Sequence, residues 1–397
     1  MSVPVEFVLF AATLLGVAVF HDRTLAVAAT GLAAILAWKL ARAGFHGVPG
    51  LAGLAQHLGA EWVILANLFC LLMGFALLSR HFEASGVPDR LPDLLPDDWR
   101  GGLVLLALVF VLSSFLDNIA AALIGGTVAA SVYRGKVHVG YLAAIVAASN
   151  AGGSGSVVGD TTTTMMWISG VSPGEVVHAY VAAAAALAVF GIPASMQQQR
   201  HSPIVRRRDA RAHTDWLRVG VVGFILTVAV AANITVNVQF PALATRFPFI
   251  GASVWAALFV AAPLRAPDWK VLPATLKGAL FLLCLVFSAS LMPVEELPAA
   301  SWPTAFGLGF VSAVFDNIPL TKLALEQGGY DWGMLAYAVG FGGSMIWFGS
   351  SAGVAITTMF PEARSVGLWL RSGWHVALAY VVGFMVLLLT LGWQVQP

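Results

Sequence analysis

Stretches of about 20 mostly apolar residues, the length an α-helix needs to cross a bilayer, recur along the chain. They lie near 3–20, 24–42, 62–80, 138–168, 174–193, 217–239, 248–264, 273–292, 333–359 and 367–392. A chain carrying so many has one solvent in which it can fold: lipid, where every backbone polar group must be satisfied internally. Composition agrees, with 59% hydrophobic and 10% charged residues and a mean hydropathy of +0.84, beyond a soluble domain. The reading is an all-α polytopic membrane protein, and a soluble enzyme is excluded. Residues 3–20 lack the basic start and cleavage site of a signal peptide and are expected to remain as a helix. Cys70 and Cys284 fall in separate apolar spans, so both read as packing residues rather than as a disulfide framework or a CxxC metal site. The net charge of +1 is silent on partners, and no nucleic-acid partner is expected.

Two further stretches, 102–133 and 303–328, carry a polar pair in mid-course: Asp117-Asn118 before Ile119, and Asp316-Asn317 before Ile318. The arms on either side hold about 14 apolar residues, so each stretch is either a bent spanning helix or a hairpin entering and leaving on one face. A glycine-rich polar break follows in each half. The first reads Gly152-Gly153-Ser154 with Gly159-Asp160-Thr161, the second Gly342-Gly343-Ser344 with Gly349-Ser350-Ser351. Carboxylates, amides and glycines at matching places in two halves of a membrane chain mark a transporter built from inverted repeats, with its site where the repeats meet.

Charge placement separates hairpin from bent span. Re-entrant hairpins leave each half with five crossings, an odd number, so the second half is inverted relative to the first. The linker 194–216, with Arg200, Arg206, Arg207, Arg208 and Arg211, is then cytoplasmic and both termini are outside. The same count keeps Arg23, Arg80, Arg90, Arg100, Arg134, Lys136, Arg265, Lys270, Arg364 and Arg371 inside, and leaves Lys39, Arg42 and Arg246 near the outer face. Spanning stretches would move Arg134 and Lys136 outside, a worse fit. The expected organisation is a first repeat over 1–193, with scaffold spans in 1–80 and a transport part in 102–193. After the Arg-rich linker 194–216 comes a second repeat over 217–397, with scaffold spans in 217–292 and a transport part in 303–397. Each repeat reads as three spans, a re-entrant helical hairpin, a discontinuous span and a closing span. The largest extramembrane pieces are expected at 43–61, 81–100 and 194–216.

An ionised carboxylate at bilayer depth is costly unless it pairs or binds something. Asp117 and Asp316 sit at expected hairpin tips, where orphan backbone groups also face inward. With Asn118 and Asn317 they offer oxygen ligands suited to sodium. An Asx cap closing each turn would use the same residue types, though it does not require a carboxylate in both halves. The first break runs from Ser149-Asn150 through Gly152, Gly153, Ser154 and Ser156 to Asp160-Thr161-Thr162 and is the most polar run at membrane depth. Its glycines let the helix unwind, and the resuming helix points amides back at the break. Close helix packing accounts for part of the glycines and leaves Asp160 unexplained. The second copy has Ser350 where the first has Asp160, so the halves are chemically unequal.

Asp160 is the expected proton carrier. An apolar site favours a neutral carboxyl and a neighbouring sodium ion favours a charged one, and their competition suffices to make an exchanger. Lys322, six residues beyond Asp316, would neutralise a carboxylate, receive an anionic substrate or snorkel to the outer face. His178 and His375, at comparable places in the closing spans, would act as pH sensors or as ordinary helix-end hydrogen-bonding groups. Glu6, Lys39 and Glu61 lie near span ends and carry little signal. Trp62, Trp216, Trp302 and Trp369 at span edges fit an interfacial belt.

At these residues the chain resembles the ion-transporter superfamily, and most closely the NhaD-type sodium/proton antiporters. The likeness is carried by Ser149-Asn150-Ala151-Gly152-Gly153 with Gly159-Asp160 and the threonines after it, and by Asp316-Asn317-Ile318-Pro319-Leu320-Thr321. Gly342-Gly343-Ser344 with Gly349-Ser350-Ser351-Ala352-Gly353-Val354 completes it. The resemblance implies paired hairpins, two discontinuous helices, a transport domain moving against a scaffold, and a homodimer in a bacterial-type inner membrane. Two departures bear on the cargo. Gly155-Ser156-Val157-Val158 stands where an aromatic and a proline are expected in the antiporters, and Ala120 stands where the second hairpin has Pro319. Relatives in the superfamily carry citrate, dicarboxylates or arsenite, so the fold leaves the cargo open.

Two functions follow. One is a sodium/proton antiporter using Asp117, Asp160 and Asp316. The other is a sodium- or proton-coupled organic anion carrier for citrate or dicarboxylates, in which sodium at the tips helps hold the substrate against Ser154, Ser344, the helix ends and Lys322. Three membrane carboxylates would repel an anionic ligand, which favours the antiporter. Sodium is expected as the transported or coupling ion, with no other cofactor. No nucleophile-base pairing or metal cluster suggests a membrane-embedded enzyme.

Overall fold

The structure, a computed structural model, describes residues 4–20, 23–45, 48–205, 214–240, 243, 246–315 and 317–395. Asp316 and the linker residues Arg206, Arg207, Arg208 and Arg211 therefore lie outside the described residues. Within the described residues the regular structure is helical, apart from an isolated bridge between Phe45 and Val48.

The first half carries α1 (Val5–Val19), α2 (Thr24–Trp38), α3 (Gly50–Glu83), the pair α4 (Trp99–Ser113) and α5 (Asn118–Val132), the interrupted α6 (Val139–Ser154) and α7 (Thr161–Ile168), a short α8 (Pro173–Val176), and α9 (Ala179–His201). The second carries α10 (Trp216–Gln239), α11 (Phe249–Ala261), α12 (Leu272–Ser290), the pair α13 (Trp302–Ser312) and α14 (Asn317–Gln327), the interrupted α15 (Trp332–Gly342) and α16 (Ser351–Met359), and α17 (Val366–Ser372) with α18 (Trp374–Leu391). Many helix starts are set by a short polar side chain that accepts a hydrogen bond from the first turn. Asp98, Asp117 and Asp160 do this in the first half. Asp215, Ser301, Asp331, Ser350 and Ser365 do it in the second.

The polar stretches 102–133 and 303–328 fold as hairpins. Gly102, at the start of α4, lies against the Tyr133 hydroxyl beyond the end of α5, and Gly125 lies against Val109, so the arms run antiparallel. In the second hairpin Gln327 Nε2 donates to the Pro298 carbonyl at 2.7 Å, joining the two open ends. The closing helices also pack antiparallel: Gly383 of α18 meets the Ala182 carbonyl of α9, and His375 Nε2 lies 3.3 Å from Gln197 Oε1. Because α9 and α18 are equivalent in the two halves, their opposite directions make the halves inverted repeats.

Exchanging the halves reproduces much of the packing. Helix α4 packs on α6 as α13 does on α15, and α6 on α9 as α15 does on α18. Likewise α2 packs on α12 as α11 does on α3, and α5 on α16 as α14 does on α7. The chain is thus interleaved across its two halves, with the hairpin of each set against the broken span of the other.

Five described segments, among them 50–83 and 374–391, are apolar and long enough to cross a bilayer, as a multi-pass membrane protein requires. Most of 43–61 belongs to α3, a single helix of 34 residues that is longer than a bilayer crossing needs. Gly53, His57 and Glu61 recur at every fourth position and are buried, so a polar stripe at helical spacing packs inward; His57 Nε2 reaches Ser290 Oγ of α12 at 3.0 Å. Cys70 and Cys284 are free and partly buried.

Candidate functional site

The turn of the first hairpin ends at Asp117, whose Oδ2 accepts a hydrogen bond from the Ile119 amide at 3.1 Å and so caps α5. From the next residue an amide relay crosses the molecule. Asn118 Nδ2 donates to Asn150 Oδ1 at 3.0 Å. Asn150 Nδ2 donates in turn to Ser344 Oγ at 2.9 Å and to Ser350 Oγ at 3.1 Å, both in the second break. All four side chains are buried, and buried polar groups are stable only when partnered. One relay therefore fixes the first hairpin tip, the first broken span and the second break relative to one another.

The first break is stitched by hydroxyls. Ser113 Oγ donates to the Ser149 carbonyl at 2.6 Å, and Ser114 Oγ to that of Gly152 at 3.1 Å. Ser156 Oγ donates to the Ser114 carbonyl at 2.6 Å and accepts from the Val158 and Gly159 amides. Thr163 and Thr164 return from α7 to the carbonyls of Ser156 and Val157 at 2.6 and 3.0 Å. Carbonyls that unwinding would have left orphaned at membrane depth are in this way satisfied. Gly152 and Gly159 sit against the Phe110 and Ser113 carbonyls, and Gly153 against Gly159, so these glycines permit close backbone approach. Gly155 has no room for a side chain because the Tyr180 ring lies over it. An aromatic group therefore stands at this break, supplied by α9 instead of the loop.

Asp160 differs from its surroundings. Its Oδ1 accepts from the Thr162 amide at 3.2 Å, capping α7. Its Oδ2 is buried without a protein partner of full hydrogen-bond geometry, and so is the Thr162 hydroxyl two residues on, which lies beside the same carboxylate. Asp160, only 2% exposed, helps line a cavity of about 320 Å³ that also takes in Asp117, Asn118, Thr161, Asn317 and Ser351. Hairpin tips from both halves, the start of α7 and the start of α16 meet there. The cavity's other wall is α3 and α12, and it extends along them to Arg80, Glu83 and Val271. The charged residues of its described lining are Asp117, Asp160, Glu83 and Arg80, and Arg80 is ion-paired with Glu83 and, at 3.6 Å, with Asp268.

The other expected residues lie outside this lining. Ser149, Gly152, Gly153, Ser154 and Ser156 serve the first break, where Ser154 Oγ donates to the Ala151 carbonyl at 2.8 Å. In the second break Gly342 approaches the Gly309 carbonyl and Gly343 packs on Gly349. Ser350 caps α16, and the Ser344 carbonyl accepts from Trp369 Nε1 at 3.2 Å. Trp369 is buried at 1% exposure and not in an interfacial belt, unlike Trp62, Trp216 and Trp302, which are exposed.

Lys322 does not reach outward to solvent. Its Nζ lies 2.8 Å from Glu61 Oε2 on α3 and 2.5 Å from Glu326 Oε1 one turn along α14. Glu61, which carried little signal in the sequence, is thus the buried partner of Lys322. Two lone opposite charges in apolar segments of different halves were the available clue. His178 and His375 do not line the cavity, and among the described residues no cluster of histidine, cysteine and carboxylate side chains could hold a metal ion.

The family described as citrate transporter, CitMHS, matches residues 7–342. The chain is 29% identical over 353 residues to sodium/proton antiporter 1 of Arabidopsis thaliana, covering 77% of this chain and 58% of that protein. It is 29% identical over 299 residues to sodium/proton antiporter 2 of the same organism, covering 63% and 67%. To the Na(+)/H(+) antiporter NhaD of Alkalimonas amylolytica it is 28% identical over 296 residues, covering 63% and 61%. The chain thus spans between 58% and 67% of the length of these three relatives. The family match takes in both hairpins and the first break and reaches the edge of the second, the elements that enclose the cavity, and so the chain belongs to the CitMHS citrate-transporter family.

Proposed function

We propose that the protein is a secondary active transporter exchanging sodium for protons, with the two ions competing for Asp160 and Asp117 between the repeats. The observation that carries this reading is the buried Asp160 Oδ2, left without a protein partner of full hydrogen-bond geometry, on a carboxylate that lines a cavity both hairpin tips border. Leaving such a group unmet costs about 1–3 kcal/mol, and more for a charged one. A proton on Asp160 removes the charge, and a sodium ion at the same oxygen pairs with it. The two exclude each other, and exclusion couples their fluxes. Asp117, Asn118, Thr161 and Asn317 supply further oxygens to the same cavity, and Asp316 joins the set by its place in the sequence. The antiporter names of the relatives support this assignment.

The cavity extends to the ends of α3 and α12 that carry Arg80 and Val271. Charge counting puts this side, with the Arg-rich linker, in the cytoplasm, so the reading includes an inward-open state in a bacterial-type inner membrane with both termini outside. A homodimer with 1–80 and 217–292 as scaffold and the remaining helices as transport domain completes it.

The family's description keeps an organic anion carrier as the second reading. The geometry gives an anion little to bind, since Lys322 is held by two carboxylates and Arg80 by Glu83 and Asp268. Proteoliposomes with an acidic interior and an internal pH dye separate the two. External sodium is expected to collapse the gradient equally with chloride, citrate or succinate, and Asp160→Asn to stop it. A gradient untouched by sodium, with labelled dicarboxylate entering when sodium or protons are supplied, would replace the antiporter by the anion carrier.

A further inference from the structure

The two broken spans repeat each other contact by contact. Ser113 Oγ donates to the Ser149 carbonyl and Ser312 Oγ to that of Val339, both at 2.6 Å. Gly152 lies on the Phe110 carbonyl and Gly342 on that of Gly309. Asp160 caps α7 and Ser350 caps α16. The broken-span members of these pairs, 149 with 339, 152 with 342 and 160 with 350, share one constant offset, and under it the mate of Asn150 is Gly340.

The two mates meet opposite fates. Asn150 Nδ2 crosses to Ser350 Oγ at 3.1 Å and so gives the capping residue of the second half a hydrogen bond. Gly340 faces the capping residue of the first half: a Cβ on it would lie 3.2 Å from Asp160 Oδ2 and 3.5 Å from Ser154 Cβ. The amide present in one half is therefore missing in the other, and the atom it would meet is the orphaned Oδ2. Gly340 is not explained by the backbone. It is interior to α15 and is absent from the residues with positive φ. Unlike Gly342, it meets side chains and not a neighbouring carbonyl.

We propose that Gly340 is a specificity-determining residue of the ion site: by omitting the side chain that Asn150 carries, it keeps Asp160 Oδ2 free of a protein donor and open to a proton or a sodium ion. The inference rests on the reading of Asp160 as the ion-binding carboxylate. An amide N–H at this place would occupy the oxygen's lone pairs and set a positive dipole end against an incoming cation.

Sodium-dependent thermal stabilisation of the purified full chain tests this without relying on transport. Sodium chloride is exchanged for choline chloride at constant ionic strength in wild type, Gly340→Ala, Gly340→Asn and Asp160→Asn. The wild type is expected to gain stability with sodium and Asp160→Asn to gain none. Gly340→Asn should need roughly tenfold more sodium for half the effect, the size of one lost contact of about 1.4 kcal/mol, and Gly340→Ala should fall between. Melting temperatures in choline report folding separately, since the tight contact of a new Cβ with Asp160 Oδ2 opposes the helix gain from replacing a glycine. If Gly340→Asn does not fold, Gly340→Ala decides alone. Wild-type sodium dependence in the variants, or no sodium effect in the wild type, overturns the proposal. Sodium binding that depends on residue 340, in a protein that fails to exchange ions in liposomes, would sink the antiporter and leave the proposal standing.

Discussion

Replacing Lys322 by methionine separates two roles that the sequence leaves open. The ammonium is 2% exposed and sits between Glu61, 10% exposed, and Glu326, 28% exposed. Removing it strands Glu61 in the interior beside a second carboxylate, and breaking a buried pair from one side costs about 3–5 kcal/mol. The lower end is expected because Glu326 is partly solvated. Glu61→Gln leaves Lys322 with Glu326 and loses one charged hydrogen bond, about 1.5–3 kcal/mol. The double variant Lys322→Met, Glu61→Met removes the buried Glu61 charge and leaves only Glu326, which is partly solvated, so it should be more stable than Lys322→Met alone by about 1–3 kcal/mol. Unfolding of the purified variants by a denaturing detergent, followed by tryptophan fluorescence, closes the cycle. Lys322 ties α3 to the second hairpin, so the proposed ion exchange should become slower or leakier in Lys322→Met without a change in which anion accompanies sodium. A Lys322→Met protein with wild-type stability and a selective loss of dicarboxylate uptake would refute this reasoning and assign the lysine to an anionic ligand.

Two further predictions concern the elements around the cavity. Asn150→Ala strands the buried Asn118 amide and should cost about 1–3 kcal/mol; Asn150→Asp, which can still accept from Asn118, should recover part of this in the same unfolding assay. At the start of α10, Asp215 accepts from the Leu217 and Arg218 amides and, at 2.7 Å, from Arg265 Nε. Its bond to Arg265 holds its carboxyl below the usual carboxylate range. A depressed carboxyl contributes stability above its unfolded value, near pH 3.9, and loses it as pH falls through the folded value. Hydrogen exchange at the start of α10, corrected for intrinsic rates, should therefore be equally protected at pH 7 and pH 5; fraying by pH 5 would contradict the assignment.

Much of the architecture was legible because lipid leaves a chain few choices. Long apolar runs become helices, and a polar pair between two short arms becomes a hairpin. The antiparallel contacts of Gly102 and Gly125 bear this out for the first hairpin, and the join of Gln327 to Pro298 for the second. The polar face of α3 was not legible. Gly53, His57 and Glu61 look like loop chemistry until α12 and Lys322 are set beside them, and hydropathy carries no information about what a helix faces.

What the sequence determined alone was the class of protein, the pairing of its halves and the residue types at the point where they meet, because these follow from hydropathy, charge placement and repeated motifs. The tertiary structure decided which polar groups are already used. Asn150 finds Ser344 and Ser350 in the other half, Lys322 finds Glu61, and Asp160 Oδ2 finds no protein partner because Gly340 opposite it has no side chain. Whether a buried oxygen is spent on the fold or left for an ion depends on neighbours far away in sequence, and those neighbours are set only when the two halves interleave.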